Sequence, residues 1–336
     1  MKTQIHTFEL ITNLTCDEYH TCRDHFFEDA KGRRGWCFQG NPQRVTYTRW
    51  QEHGIIIYLD SGSPVIYLRM KVNPSKLLGS TDALTLFNVT EASVGALTDA
   101  MQEIISLLPV ELLEESIRLS RLDLCRNLTV PSQAVIDEYL RLLQKGAKQK
   151  NWDAQHYDDD RGLHSFRRIN NLYKVTVYDK LYQIQDRGLS TEWNSSDRIL
   201  RAEISLLPKG IQYMCGKFHL VPTDWALQLY GLSQCGTDIT NHVLKKLIGP
   251  GDYYSLEAAK GIITTIFSRA KALKLIQFLS DINRSQVVDK QAVKEHTNGK
   301  NRLKELRSCN INPVTIECRA GIDCLPSLFV GEGIVL

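Results

Sequence analysis

Apolar and polar residues alternate along residues 173–180, with Tyr173, Val175 and Val177 on one side and Lys174, Thr176, Tyr178 and Lys180 on the other. Period-two alternation predicts a half-buried strand. Similar runs predict strands at 5–12, 44–50, 55–59, 65–72, 116–128, 164–169 and 199–206. Gln51-Glu52-His53-Gly54 and Ser61-Gly62-Ser63-Pro64 read as the turns of an antiparallel meander, and Asn170-Asn171 as a hairpin turn into residues 172–180. Helical spacing appears at 15–30 behind Thr15, at 90–108 behind Thr90, and at 131–147 behind Pro131-Ser132. Residues 32–40 read as a basic, glycine-punctuated loop, and the stretch around Asp158-Asp159-Asp160 as an acidic one.

Pro208-Lys209-Gly210 closes the last of these strands, and from residue 222 to 310 the period is mainly helical. Its clearest case is one stripe over 255–282, built from Leu256, Ala259, Ile262, Ile266, Ala270, Leu273, Ile276 and Leu279. Residues 290–307 read as two short helices broken at Asn298-Gly299, and 314–318 as a strand, which suit a helix-turn-helix with a wing and equally an ordinary helical hairpin. The fold class is therefore α+β: an antiparallel-rich sheet with helices packed on one face, followed by a helical, basic C-terminal domain. The boundary falls at 208–222, giving an α+β domain over 1–210 and a mainly helical one over 211–336.

Composition narrows this picture. A chain of 336 residues, 43% hydrophobic and 24% charged, has the make-up of a soluble globular protein of about two domains. The N-terminus enters alternating residues with no signal-peptide core, and no apolar run reaches membrane-spanning length, so a cytoplasmic protein without a membrane partner is expected. Nine scattered cysteines form no Cys-x-x-Cys pair and read as reduced, mostly buried thiols. The net charge of +3 hides an asymmetry, because residues 241–320 carry 14 Lys/Arg against 7 Asp/Glu. A basic C-terminal quarter suits a polyanionic partner, and equally a solvated helical surface.

Three strands carry polar faces with chemistry on them. Arg121 and Asp123 share a face of one, Arg201 and Glu203 of another, and Tyr178 and Lys180 of the third. Taken singly, each is what a cross-strand ion pair looks like. If all three join one sheet, two carboxylates, two arginines, a lysine and a tyrosine meet on its exposed side. Two carboxylates can hold Mg²⁺ or Mn²⁺, the cations neutralise transition-state charge on phosphate, and a tyrosine can attack phosphorus. A cation at Lys180 or Arg201 would favour the phenolate of Tyr178.

The series Ser120-Arg121-Leu122-Asp123-Leu124, Val177-Tyr178-Asp179-Lys180 and Leu200-Arg201-Ala202-Glu203-Ile204 resembles the rolling-circle replication initiators, in particular the filamentous-phage gene II and X replication proteins and related plasmid initiators. Asn73-Pro74-Ser75-Lys76-Leu77-Leu78 and the segment 306–314 add to the resemblance, which spans residues 44–316. It implies a DNA nicking-joining endonuclease that cuts one strand at an origin, stays joined to the 5′ phosphate through tyrosine and frees a 3′-OH. It implies Tyr178 as nucleophile, with Tyr182 competing if the strand yields to a helix near Asp179. Asp123 and Glu203 become ligands of Mg²⁺ or Mn²⁺, and Lys180, Arg121 and Arg201 phosphate-stabilising groups. Origin duplex and single-stranded DNA are the implied partners, host helicase and polymerase would act after the nick, and a homodimer stays open.

The chain departs from the His-rich initiators in having no His-apolar-His pair, although His156 or His164 could supply a nitrogen ligand. Tyr213, Tyr253 and Tyr254 are weaker candidates for the nucleophile. A non-enzymatic origin-binding replication regulator and a metal-dependent hydrolytic nuclease are the alternatives.

Overall fold

A computed structural model of the chain describes residues 3–62, 65–146, 151–159, 162–284, 293–317 and 320–328. Its strands are β1 (Gln4–Leu14), β2 (Cys37–Asn41), β3 (Arg44–Tyr47), β4 (Ile55–Asp60), β5 (Ile66–Val72), β6 (Arg118–Val130), β7 (Asp153–Asp159), β8 (Gly162–Ile169), β9 (Tyr173–Asp179), β10 (Arg198–Leu206), β11 (Tyr253–Tyr254) and β12 (Cys324–Leu325). The first ten form one sheet in the order β2-β3-β4-β5-β1-β6-β10-β9-β8-β7, and the last two pair separately. Every pairing within the large sheet is antiparallel. The long strand β6 lies at its centre, between β1 and β10.

The helices are α1 (Cys16–Asp29), α2 (Pro74–Leu77), α3 (Glu91–Ser106), α4 (Gln133–Gly146), α5 (Lys180–Asp186), α6 (Pro208–Lys217), α7 (Trp225–Gln234), α8 (Gly236–Ile248), α9 (Leu256–Ile266) and α10 (Arg269–Arg284), with a last one at Gly299–Ser308. Thr15 and Thr90 cap α1 and α3 through capping boxes. The apolar side of the alternating strands, including Phe8, Leu10, Leu122, Leu124, Val175, Val177 and Ile204, is wholly buried. It is covered by the stripes of α4 and α6 and by Trp225 of α7, which stacks on Phe8 at 5.8 Å. On the same side, Phe26 of α1 stacks on Tyr47 at 4.2 Å. Period-two alternation thus divides the sheet into a face that carries the core and a polar face that is free for chemistry. The α+β class, an antiparallel sheet with helices laid on it, is the observed architecture.

Several elements differ from expectation. Residues 32–40 are not all loop: β2 begins at Cys37 and forms the sheet edge against β3. The acidic stretch before residue 160 extends the hairpin by a further strand, β7, whose polar composition hid it. β10 does end at Leu206, before Pro208, and that proline also starts α6, since a proline at the first helical position lacks only an N–H that has no partner there anyway. The stripe over 255–282 is two helices, interrupted where Phe267 takes an extended backbone (φ −112°, ψ 153°). Ser63, Pro64, Asp160, residues 290–292 and residue 318 lie outside the described residues. Within them no helix is long and apolar enough to cross a membrane.

Candidate active site

The three motif strands are neighbours. Across β6 and β10, Cys125 faces Glu203, Asp123 faces Ser205 and Asn127 faces Arg201. Across β10 and β9, Glu203 faces Thr176 and Arg201 faces Tyr178. Because residues two apart share a side, Arg121, Asp123, Cys125, Arg201, Glu203, Thr176 and Tyr178 all belong to the polar face.

A fourth strand contributes what the sequence did not reveal. Along β1 against β6, Ile5 pairs with Leu124 and Phe8 with Leu122, so His6 and Thr7 both lie opposite the single residue Asp123. This is a β-bulge, which inserts one residue and re-aims the side chains beside it. Here both His6 and Thr7 line the cleft while Ile5 and Phe8 stay in the core. The Thr7 hydroxyl donates to Asp123 Oδ2, and His6 Nδ1 lies 3.0 Å from Glu203 Oε2. The signal was present as Ile5 and Phe8, two apolar residues three apart that break the period of two.

The carboxylates have different surroundings. Asp123 is clamped by Arg121, whose Nε donates to Oδ1 and Nη2 to Oδ2, each at 2.8 Å, while Nη1 reaches Glu9 at 3.1 Å. Glu203 is buried, which works to raise its pKa; the His6 hydrogen bond and the charges of His6, Lys174 and Arg121 outweigh this and hold it well below the usual carboxylate range. It is therefore an anion at neutral pH. Burial, then the Glu203 charge, push the Cys125 thiol far up, so it stays protonated and donates to Glu203 Oε2 at 3.6 Å.

The ligand pair expected from sequence was Asp123 with Glu203. In the fold both oxygens of Asp123 are bonded to Arg121, and one also to Thr7. The grouped donors are instead His6, Cys125 and Glu203, whose ligand atoms lie within 4.8 Å of one another. The imidazole nitrogen of His6 and the ionised carboxylate of Glu203 could hold a divalent ion, and the Cys125 thiol could join them only by losing its proton. The side chain of His156 lies outside the described residues, and His164 stands over Tyr182 rather than in this group.

The basic residues also redistribute. Arg201 is fully buried, and its guanidinium donates to Asn127 Oδ1 at 2.7 Å and to the Leu84 carbonyl at 3.0 Å. Lys180 is buried as well, with Nζ donating to Gln183 at 2.9 Å. Neither is among the residues that line the cleft. The cations that do line it are Lys71, Arg121, Arg167, Lys174 and Arg187 around a volume of about 380 Å³.

The strand ends at Asp179, whose side chain caps α5 by accepting the Tyr182 N–H at 3.0 Å. Both tyrosines line the cleft. Tyr178 is only 6% exposed, and burial followed by the Glu203 charge pushes its phenol far up despite the opposing charge of Arg201. Expectation had the neighbouring cations favouring the phenolate; burial wins. Tyr182 is half-buried, in the first turn of α5, stacked on His164 with ring centres 3.6 Å apart. Tyr213, Tyr253 and Tyr254 are not among the cleft residues.

Burial, helped by the Arg201 charge, pushes Lys180 down to about 7. Between that value and the ordinary 10.5, the unfolded chain holds a proton that the folded chain lacks, so this residue makes stability rise with pH. The slope is at most ~1.4 kcal/mol per pH unit. Buried thiols such as Cys22, raised to about 12, act oppositely once unfolded thiols ionise near 9.0. Denaturation measured between pH 7 and about 8.5 should show the rise in the parent and a flatter curve in Lys180→Met. Parallel curves would refute the assignment.

No family model matches the chain, and no curated protein does. Among solved structures, the chain is similar to the rolling circle replication initiator protein from Geobacillus stearothermophilus, at 10% identity, covering 66% of this chain and 81% of that one with a TM-score of 0.30. A likeness of that size carries no argument about chemistry.

Proposed function

We propose that this protein initiates rolling-circle DNA replication by nicking one strand through a tyrosine transesterification assisted by a divalent ion. The observation that carries this is the meeting of β1, β6, β10 and β9 over one cleft, where an ionised Glu203 beside His6, a ring of cations and a tyrosine converge. The resemblance of the three motif strands to the initiators supports the choice of DNA.

Glu203 and His6 would hold the ion, which supplies charge neutralisation at a phosphodiester oxygen. Arg121, fixed by Asp123 and Glu9, presents a positioned guanidinium to the same phosphate. Lys174 and Arg187 add charge along the rim. Tyr182 is the nucleophile: its oxygen forms a bond to phosphorus as the bond from phosphorus to the 3′ oxygen breaks. The phenol loses its proton, the 3′ oxygen gains one, and the broken linkage is conserved as a 5′-phosphotyrosine for rejoining. Tyr178 packs beneath as part of the floor.

The test is incubation with Mn²⁺ and supercoiled DNA carrying the chain's own gene and its flanks. Relaxation with protein covalently attached to the nicked strand is expected. Nicking with a free 5′ phosphate would indicate a hydrolytic nuclease, and binding without relaxation a replication regulator; either result overturns the proposal.

A further inference from the structure

Outside the cleft, the charge along the chain breaks most sharply between Lys76 and Arg118. Residues 77–117 hold seven Asp/Glu and no Lys, Arg or His, in a protein whose net charge is +3. Four of these acids, Glu103, Glu111, Glu114 and Glu115, fall in the last turn of α3 and its connection to β6, and all four are exposed. Among the described residues none of the four is ion-paired; Glu114 instead accepts from the Gln102 amide at 2.9 Å. Arg118, the first cation to follow, is bonded to Asn13 Oδ1 at 3.3 Å. The last turn of α3 carries no basic residue. The negative end of the helix dipole therefore adds to the carboxylates where a cation is the usual partner.

The same connection bounds an apolar groove of about 640 Å³. Ile105 and Leu108 at the end of α3, Pro109, Val110 and Leu112 of the connection, and Ile117 before β6 form its walls, with Glu111 and Glu114 among them. Leu107 and Leu113, next in the chain to these wall residues, are 52% and 59% exposed. Ile117 stands six residues before Asp123, so the groove lies about 20 Å along β6 from the cleft carboxylate. β6 is paired on both sides, by β1 and β10, and offers no free edge here. An incoming chain cannot add to the sheet as a strand.

From this we infer that the groove docks a basic amphipathic helix presented by another protein. Apolar side chains three and four residues apart on that helix fill the groove. Lys or Arg on its flanks meet Glu103, Glu111, Glu114 and Glu115, which set the orientation and speed the encounter. The same carboxylates repel nucleic acid and anionic membrane. A basic tail without apolar anchors would satisfy the charges but leave the walls of the groove in water. The surface is separate from the cleft, and nothing in its chemistry depends on the nicking proposal.

The test uses the full chain and a fluorescein-labelled peptide of about 14 residues, Leu and Lys alone with Leu at helical spacing, read by fluorescence anisotropy. Binding is expected, and it should weaken as salt rises. The same composition with Leu and Lys alternating, or Glu in place of Lys, should bind about tenfold more weakly or worse. Glu111→Lys with Glu114→Lys should lower affinity about tenfold or more, and Val110→Ala with Leu112→Ala about threefold. The control pair Glu52→Lys with Glu192→Lys, exposed carboxylates elsewhere, should change it less than about twofold. A thermal melt of each variant verifies that it is folded. Equal losses from the two carboxylate pairs, or undiminished binding of the alternating peptide, overturns the inference. So does a parent whose sedimenting mass rises with concentration while Glu111→Lys with Glu114→Lys stays monomeric, which assigns the groove to a second copy of this chain. Since no cleavage or metal enters the readout, failure here leaves the nicking proposal where it stands.

Discussion

Glu203→Gln should lower strand cleavage by about 10³-fold or more, with Mn²⁺ binding lost alongside it. The amide keeps the shape of the side chain but removes the anion that faces His6, Lys174 and Arg121. Three basic groups then surround a neutral group in a buried site, and the loss of a buried charge partner costs about 3 kcal/mol. Circular dichroism and a thermal melt separate the two effects: the sheet should persist at working temperature while cleavage is gone. His6→Gln gives a milder version, expected to raise the Mn²⁺ concentration needed for half-maximal cleavage on the order of tenfold. If Glu203→Gln cleaves within a few-fold of the parent, the carboxylate is structural and the metal assignment is wrong.

Tyr182→Phe should abolish the covalent adduct altogether, whereas Tyr178→Phe should keep cleavage within about tenfold of the parent. The two tyrosines are four residues apart and differ in environment. Ionising Tyr178 means placing a negative charge in a buried position beside Glu203, and each unit of upward shift costs about 1.4 kcal/mol at the transition state. Tyr182 stands in the first turn of a helix at the cleft wall, half-buried and aligned by the ring of His164. Its orientation depends on Asp179, which caps that turn, and on Leu84, Ile184 and Ile199, which form a small apolar cluster where the segment around Leu84 meets α5 and β10. Arg201 contributes by holding the Leu84 carbonyl. Adducts that survive in Tyr182→Phe and vanish in Tyr178→Phe would reverse the assignment.

Much of the scaffold was legible because period-two alternation is a local property of each strand. The polar faces of β6, β9 and β10 could be read residue by residue, and their order along the chain suggested one sheet. Exposure was harder. Lys180 and Arg201 alternate as surface residues do, but α5 and the segment around Leu84 cover that end of the polar face, which no local pattern announces. His6 was missed because a bulge changes the period for one residue, and reading it required knowing that Asp123 lies opposite. β2 and β7 escaped notice because glycine and acidic residues weaken the strand signal at both edges of the sheet. The turn at Phe267-Ser268 was hidden for the opposite reason: two helices with aligned apolar stripes and a two-residue connection look like one.

The central claim, a tyrosine transesterase built on this sheet, is tested most directly by trapping the parent protein on ³²P-labelled nicked DNA with Mn²⁺, digesting both components and identifying the labelled peptide. A phosphotyrosine at Tyr182 is the expected result. Label on another residue, or nicked DNA carrying no protein at all, would contradict it.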